Sequence, residues 1–225
     1  MLAPRHVAAE AATVYAVHIP PELSGWTRFD WLSEEDAARA ARMQSAQRRA
    51  QFAAGRWLLA HTADAVFGKS AYVVHTIEAR PVLIAAAGTP AAASLSHCAD
   101  LVICAVSRVT AIGVDVEAVR PRADWEGLAA WVLHPQERAQ LGALDPAERW
   151  KRFYETWTLK EALAKALGIG VFGFPFRSIA VSEDGTIAHA PPEFRLDNGK
   201  WRLRRLDCGP GFAAALAWRP NTRTA

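Results

Sequence analysis

Two long stretches of helical sequence, one in each half of the chain, constrain the fold more than any other feature. Residues 32–68 predict one or two helices, with Ser33 as an N-cap and Gly68 as a C-cap. Residues 146–168 predict a single long helix, with proline near its start and glycine just past its end. Runs that predict strands lie on both sides of each stretch. We therefore predict an α+β fold in which each half combines one long helix with several strands.

The strand predictions come from short apolar and alternating runs. In the first half these runs lie at 13–19, 71–78, 92–97 and 101–107, and the last two are separated by a short turn. The segment between residues 78 and 92 is rich in proline and glycine and is predicted as a loop. Another strand is predicted at 110–119, and the tail after residue 176 alternates like a strand meander.

Composition limits the class of protein and its partners. The 225 residues, 51% hydrophobic and 22% charged, suit an ordinary globular protein of one large domain or two small ones. The net charge of +3 would suit a phosphate-bearing ligand or an acidic partner, but it is too small to indicate nucleic acid. Three cysteines without a short CxxC spacing predict reduced thiols rather than a disulfide framework or a zinc site.

Neither a signal peptide nor a membrane-spanning segment is predicted. The N-terminus lacks a sustained apolar region and carries Glu10 early. No window has the length of apolar sequence that crosses a bilayer. We therefore expect a cytoplasmic protein without a membrane partner.

The predicted strand "AIGVDVEAV" carries two carboxylates among apolar residues. Because side chains alternate between the faces of a strand, Asp115 and Glu117 share one face with Gly113. Two unpaired anions would be costly to bury, so this face is either open to water or covered by a cation. Gly113 is expected to keep the same face free of bulk for a ligand.

The second predicted long helix places an acid in line with two aromatic residues. Phe153, Trp157 and Glu161 follow one another at i, i+4 and i+8 and so form a single stripe. Lys165 follows Glu161 at i+4, and a surface Glu–Lys pair would account for those two residues alone.

The carboxylates of the strand and the helix could meet if the two elements pack together. Asp115, Glu117 and Glu161 would then form an all-oxygen set. Such a set suits Mg²⁺, which takes few protein carboxylates and completes its coordination with water and phosphate. This arrangement is typical of sites that act on a diphosphate.

Two motifs resemble a known family. "GVDVE" at 113–117 and "WTLKEALAK" at 157–165, in that order, are similar to the two signatures of 4′-phosphopantetheinyl transferases of the Sfp type. The segments "SLSH" at 94–97, "RPVL" at 80–83 and "HPQE" at 134–137 resemble shorter elements of the same family. The resemblance extends over most of the chain.

The resemblance implies both a fold and an activity. The fold would be a monomeric pseudo-dimer of two similar α/β subdomains, 1–108 and 109–225, each a small sheet packed on a long helix. Coenzyme A would bind in the cleft between the subdomains, and the second subdomain would carry the metal site. The activity would be Mg²⁺-dependent transfer of the 4′-phosphopantetheine arm of coenzyme A to a serine of an acyl or peptidyl carrier protein. Adenosine 3′,5′-bisphosphate would be released.

The resemblance also implies residue roles. The metal ligands would be Asp115, Glu117 and Glu161. The residues that contact coenzyme A would be Arg39, Arg80, Ser96, His97 and Lys165. Lys165 would also stabilise charge in the reaction, and Glu137 would be the general base, with Glu117 or a water molecule as alternatives.

Some of these assignments have competing explanations. The resemblance implies an arginine for the 3′-phosphate of coenzyme A, and Arg39 best matches the position that is usual in the family. Most arginines of this region suit a solvated helix face, and the candidates are Arg39, Arg42, Arg48, Arg49 and Arg56. His97 could instead be a histidine packed in the core.

The sequence is also compatible with two other functions. One is a Mg²⁺-dependent phosphohydrolase of nucleotides, and the other is a non-catalytic protein that binds coenzyme A. The "SLSH" element and the WxxKE helix argue against the first, and the complete set of carboxylates and lysines argues against the second. The sequence does not specify whether the carrier belongs to fatty acid, polyketide or nonribosomal peptide biosynthesis.

Overall fold

The computed structural model describes residues 2–69, 72–77, 80–85, 91–108, 111–170, 173–194, 196 and 200–220. The chain divides into two compact units, Met1–Arg108 and Val109–Ala225. Each unit combines helices with antiparallel strands, which confirms the predicted α+β class. Within the described ranges, no helix is both long enough and apolar enough to cross a membrane.

The first unit is built on a four-stranded antiparallel sheet. Its strands are β1 (Arg5–Val7), β2 (Thr13–His18), β5 (Ala92–Cys98) and β6 (Leu101–Ser107), in the spatial order β1-β2-β6-β5. A separate hairpin joins β3 (Tyr72–Ile77) to β4 (Arg80–Ala85). The helices are α1 (Glu34–Ala41), α2 (Ala46–Phe67) and a 3-10 turn at Pro21–Gly25.

The helices of the first unit begin and end where their capping residues predict. Ser33 accepts a hydrogen bond from the Asp36 backbone N–H at the start of α1. Ser45 does the same for Arg48 N–H at the start of α2, so the stretch at 32–68 forms two helices. Gly68 ends α2 with a φ of 88°, a backbone conformation that glycine adopts without steric cost. Between these caps α2 buries Leu58 and Leu59 in the core of this unit.

The loop predicted between residues 78 and 92 was partly wrong. Arg80–Ala85 forms β4, which pairs antiparallel with β3. Pro81 lies near the end of this two-stranded ladder, opposite Thr76. A proline is tolerated there because it need not donate to another strand. The proline in "RPVL" therefore gave a misleading loop signal.

The described residues of the second unit form five strands and three α-helices. A three-stranded antiparallel sheet has the order β10-β11-β7, with β7 at Ala111–Ala118, β10 at Arg202–Leu206 and β11 at Phe212–Arg219. The helices are α3 (Trp125–Val132), α4 (Pro135–Gly142) and α5 (Pro146–Ala166). A small hairpin of β8 (Ala180–Val181) and β9 (Ile187–His189) follows a 3-10 turn at Phe176–Ser178, and a second 3-10 turn lies at Pro192–Phe194.

Helix α5 packs closely against a sheet surface made of small residues. Ala213, Ala215 and Ala217 of β11 are all buried in the core that contains α5. Ala217 pairs with Gly113 on β7, so both residues lie on the same face of the sheet. A Cβ atom on Gly113 would lie 2.0 Å from the carbonyl oxygen of Ala162 in α5. The space beside Gly113 is therefore filled by the α5 backbone, and the expectation that it is kept for a ligand was wrong.

We expect Gly113→Ala to destabilise the second unit by about 1–3 kcal/mol, because the added methyl group forces α5 away from β7. Urea denaturation followed by far-ultraviolet circular dichroism measures the loss. Gly142→Ala is the matched control, since a Cβ at Gly142 would meet no atom within 4 Å. Equal stability of the two variants would contradict the packing described here.

Candidate functional site

A buried carboxylate and a lysine connect β7 to α5. Asp115 is only 2% exposed, and its Oδ1 lies 2.6 Å from the Nζ atom of Lys165. Lys165 also donates a hydrogen bond to the backbone carbonyl of Val114 at 3.2 Å. The ammonium group of Lys165 is therefore one cation on the carboxylate face of β7. Its partner is Asp115, not the i+4 neighbour Glu161.

Glu161 lies in an environment that disfavours its negative charge. Burial is the main reason that the pKa of Glu161 is raised to about 7, and the charge of Asp115 adds to this effect. The charge of Glu117 raises the pKa further, whereas Lys165 and a hydrogen bond from Trp157 lower it. The Trp157 indole donates to Glu161 Oε1 at 2.5 Å. Asp115 and Glu117 thus both repel the negative charge of Glu161, and Lys165 offsets this only in part.

The three carboxylates are chemically suited to Mg²⁺ but are not gathered around one point. Among the residues that the structure describes, no group of three or more His, Cys, Asp or Glu side chains surrounds a single metal position. Lys165 contacts Oδ1 of Asp115, and Trp157 contacts Oε1 of Glu161. The fit rests on the donor chemistry and on the charges of Asp115 and Glu117, which add to the effect of burial on the pKa of Glu161 and whose repulsion a divalent cation would relieve.

Glu137 lies in a separate, buried network of hydrogen bonds. This residue is 5% exposed, and its Oε2 accepts hydrogen bonds from Lys160 Nζ at 2.6 Å and from the backbone N–H of His134 at 2.8 Å. Its Oε1 accepts from the backbone N–H of Val181 at 2.8 Å. Both oxygens are therefore used to join α4 to α5 and to β8. His134 caps α4, as expected for a residue at a helix start.

Lys160 completes this buried pair. Its side chain is 0% exposed, and it donates to the carbonyls of Val132 and Phe176 as well as to Glu137. All three ammonium protons thus have acceptors. Burial lowers the pKa of Lys160, and the charge of Glu137 opposes that shift. The pair ties α3, α4, the Phe176–Ser178 turn and β8 to the helix that carries Glu161 and Lys165.

The first unit contains a pocket of about 290 Å³ that brings three predicted coenzyme A contacts together. Arg39 of α1 and the β5 residues Ser96 and His97 all line it. His97 is exposed, which excludes a packed core histidine. Ser96 is 8% exposed. The pocket also contains Phe52, whose ring centroid lies 5.2 Å from the guanidinium carbon of Arg39.

The structure separates the candidate arginines by their partners. Arg56 pairs with Asp36 at 2.9 Å, and the Arg56 side chain is 8% exposed. Arg49 donates to the carbonyls of Trp26 and Met43. Arg48 and Arg56 line the same pocket as Arg39, so the selection of Arg39 from the candidate arginines left out two that share its pocket. Arg80 begins β4, but its side chain lies outside the described residues.

Two further residues of the second unit were not predicted for the site. The aromatic stripe indicated that Trp157 lies above Glu161, but it gave no sign that the indole donates to the carboxylate. Arg122 lies in the segment after β7, and its Nε donates to the hydroxyl of Tyr154 at 3.0 Å. Its guanidinium carbon lies 5.7 Å from the centroid of the Trp157 ring. Nothing in the local sequence distinguishes Arg122 from the neighbouring Arg120.

Comparison with known proteins finds relatives along most of the chain. The profile of the 4′-phosphopantetheinyl transferase superfamily matches residues 111–217, which include β7 and α5. The 4′-phosphopantetheinyl transferase HetI of Nostoc sp. is 32% identical over 203 residues, which cover 84% of this chain and 81% of HetI. The 4′-phosphopantetheinyl transferase AcpT of Escherichia coli is 30% identical over 164 residues, 73% of each chain. A 4′-phosphopantetheinyl transferase of Bacillus subtilis is 29% identical over 102 residues, 44% of each chain.

Proposed function

This chain belongs to the 4′-phosphopantetheinyl transferase superfamily and is a phosphopantetheinyl transferase, and we propose that it uses Mg²⁺ to modify a serine of a carrier protein. Coenzyme A is the donor of the phosphopantetheine arm. The acceptor is an acyl or peptidyl carrier protein. The single observation that carries the Mg²⁺ assignment is the group of carboxylates Asp115, Glu117 and Glu161, in which burial, and next the charges of Asp115 and Glu117, raise the pKa of Glu161 to about 7.

The residues of the second unit divide the work of phosphoryl transfer. The serine oxygen forms a bond to the β-phosphorus of coenzyme A, and the bond from that phosphorus to the departing adenosine 3′,5′-bisphosphate breaks. Bound Mg²⁺, held by Asp115, Glu117 and Glu161, would supply Lewis-acid stabilisation of the phosphate oxygens. Lys165 remains beside Asp115 and donates to oxygens that gain negative charge as the reaction proceeds.

The proton of the serine hydroxyl requires a general base. Glu137 was predicted for this role, but both of its oxygens accept hydrogen bonds within the protein. Glu117 is only partly buried and lies on the same strand face as Asp115. We therefore favour Glu117 as the base, with the carboxylate oxygen that does not hold Mg²⁺ accepting the proton, and assign Glu137 to positioning α4 and α5.

The pocket of the first unit would bind the nucleotide end of coenzyme A. Arg39 and Arg48 line it, and arginine recognises phosphate through several parallel hydrogen bonds. Ser96 and His97 add polar groups from β5. This set would suit the 3′-phosphate of coenzyme A. Arg80 remains a predicted contact of the same nucleotide.

A mass-spectrometric assay tests the proposed function. The protein is mixed with an apo carrier protein, coenzyme A and Mg²⁺, and the intact mass of the carrier is followed. We expect the carrier to gain one phosphopantetheine arm and to gain none when EDTA is present. Loss of coenzyme A without modification of several unrelated carriers would instead indicate a phosphohydrolase. Binding of coenzyme A without any turnover would indicate a non-catalytic protein.

Arg39→Ala should raise the KM for coenzyme A by about 10- to 150-fold, because a hydrogen bond to a charged phosphate contributes about 1.5–3 kcal/mol. The KM for 3′-dephospho-coenzyme A should change much less, since this donor lacks the phosphate that Arg39 would contact. Arg42→Ala is the control, because Arg42 is exposed at the end of the same helix. An equal loss with both donors would show that Arg39 does not recognise the 3′-phosphate.

We also propose that the chain is a monomer of two similar subdomains and is located in the cytoplasm. In each unit a long helix packs against an antiparallel sheet, α2 in the first and α5 in the second, which supports two similar subdomains with bounds at 1–108 and 109–225. A monomeric state and a cytoplasmic location remain predictions. Light scattering of the purified protein checks the first, and cell fractionation checks the second.

A further inference from the structure

The carboxylate of Glu161 is oriented by an aromatic cluster on α5. The Trp157 indole donates to Glu161 Oε1, and the Trp157 side chain is largely buried. Its ring stacks on Tyr154 with an interplanar angle of 9° and a centroid distance of 6.0 Å. Phe153 and Trp131 contact the same ring edge-on. Because these neighbours restrict rotation of the indole, they determine where its N–H points and thus how Glu161 is turned.

Arg122 holds this cluster from outside the helix. It lies in the segment between β7 and α3, just after the strand that carries Asp115 and Glu117. Its Nε donates to the Tyr154 hydroxyl, and its guanidinium lies over the Trp157 ring within the distance of a cation–π interaction. A single side chain thus connects the end of β7 to the two rings that support Glu161.

We propose that Arg122 is a positioning residue for the Mg²⁺ site. Through Tyr154 and Trp157 it orients the Glu161 carboxylate, and by tethering the segment after β7 it sets the distance between Glu161 and the β7 carboxylates. Arginine is required because only its planar guanidinium can donate from Nε and stack on an indole at the same time. The inference rests on the proposed function, since it concerns the metal site of that same reaction.

If Arg122 orients Glu161, substitutions along this connection should weaken the binding of the metal. Partners that orient a metal ligand through hydrogen bonds typically contribute about 10–100-fold to metal affinity. Trp157→Phe, which removes the N–H donor together with part of the indole ring, should therefore weaken binding by at least about tenfold. Arg122→Ala acts one step further away and should weaken binding by about five- to tenfold. Arg122→Lys should recover little of this loss, and Tyr154→Phe should reproduce part of it.

The experiment measures Mn²⁺ binding by electron paramagnetic resonance and, separately, the Mg²⁺ dependence of transfer. Mn²⁺ is the probe because it accepts the same oxygen ligands as Mg²⁺. The variants are Arg122→Ala, Arg122→Lys, Tyr154→Phe, Trp157→Phe and the Arg122→Ala/Trp157→Phe double variant. Arg120→Ala is the control, an exposed arginine of the same segment. Circular dichroism at the assay temperature verifies that each variant is folded.

The proposal predicts a specific pattern. Both the Mn²⁺ dissociation constant and the Mg²⁺ half-saturation rise in Arg122→Ala, while the KM for the carrier and the properties of Arg120→Ala stay at the parent values. The double variant binds Mn²⁺ no more weakly than Trp157→Phe alone, because both changes interrupt the same connection.

Three results would overturn the proposal. One is parental Mn²⁺ affinity in folded Arg122→Ala, and another is fully additive losses in the double variant. The third is a raised KM for the carrier with unchanged metal affinity, which would make Arg122 a contact of the carrier. Absence of transfer by the parent protein would refute the proposed function instead, and the Mn²⁺ measurements would still report on Arg122.

Discussion

Replacing Glu161 with glutamine is expected to reduce transfer on the order of a hundred- to a thousandfold while leaving the protein folded. Glutamine has the same shape and can still accept the hydrogen bond from Trp157, so the packing of α5 is preserved. The loss follows because a metal stabilises the transition state by several kcal/mol, and about 1.4 kcal/mol corresponds to a tenfold change in rate. Initial rates of carrier modification at saturating coenzyme A measure it.

The same substitution, which lowers activity, should raise the stability of the protein at high pH. The pKa of Glu161 is raised from 4.5 to about 7 in the folded protein. Between these two values the folded protein holds a proton that the unfolded chain has lost, so the free energy of unfolding falls as pH rises. Above pH 7 without Mg²⁺ the parent therefore lacks this stabilisation. Glu161→Gln removes the charge, and we expect it to melt at a higher temperature than the parent at pH 8.

Glu148→Gln provides the control for both measurements. Glu148 lies in the first turn of α5 and is exposed. This variant should retain the activity and the pH profile of the parent. Near-parental transfer by Glu161→Gln would show that the metal site is misplaced. A melting temperature for Glu161→Gln that follows the parental pH dependence would show that the pKa of Glu161 is not raised in the folded protein as described.

Replacing Lys160 with alanine is expected to destabilise the second unit by about 3–5 kcal/mol, the usual cost of removing one partner from a buried ion pair. The substitution leaves the Glu137 carboxylate, 5% exposed, without its cation. It also leaves the carbonyls of Val132 and Phe176 without the donor that the folded protein provides. Urea denaturation monitored by circular dichroism and by tryptophan fluorescence gives the change in the free energy of unfolding.

Two further variants make the Lys160 result specific. Lys151→Ala removes an exposed lysine of the same helix and should change stability by no more than about 0.5 kcal/mol. The Lys160→Met/Glu137→Gln double variant removes both charges, so it should be less destabilised than Lys160→Ala. A loss below about 1 kcal/mol in Lys160→Ala would contradict the structural role assigned to the Glu137–Lys160 pair.

The sequence predicted the local features of this protein well. The caps at Ser33 and Gly68 and the long helix that starts at Pro146 are where the residue types place them. The alternation of "AIGVDVEAV" predicted β7 to within a residue or two of its observed ends. Such features depend on backbone preferences and on side-chain periodicity, which are properties of short segments. The family motifs in turn indicated Asp115, Glu117 and Glu161 as the candidate metal ligands.

The partners of the charged residues could not be predicted in the same way. Helical spacing paired Lys165 with Glu161, yet Lys165 contacts Asp115, 50 residues earlier in the chain. Glu137 resembled a catalytic base, yet it caps α4 and pairs with Lys160. Both outcomes depend on how α5 docks on its neighbours, and no local pattern encodes that arrangement.

The sequence alone determined the α+β class, the positions of the main helices and strands, and the carboxylate, lysine and arginine candidates. Only the tertiary structure decided that α5 fills the space beside Gly113 and that Lys165 neutralises Asp115. It also decided that Arg39 shares a pocket with His97. The physical reason is that secondary structure follows from interactions within a few residues, whereas burial, ion pairing and pKa depend on contacts between distant segments.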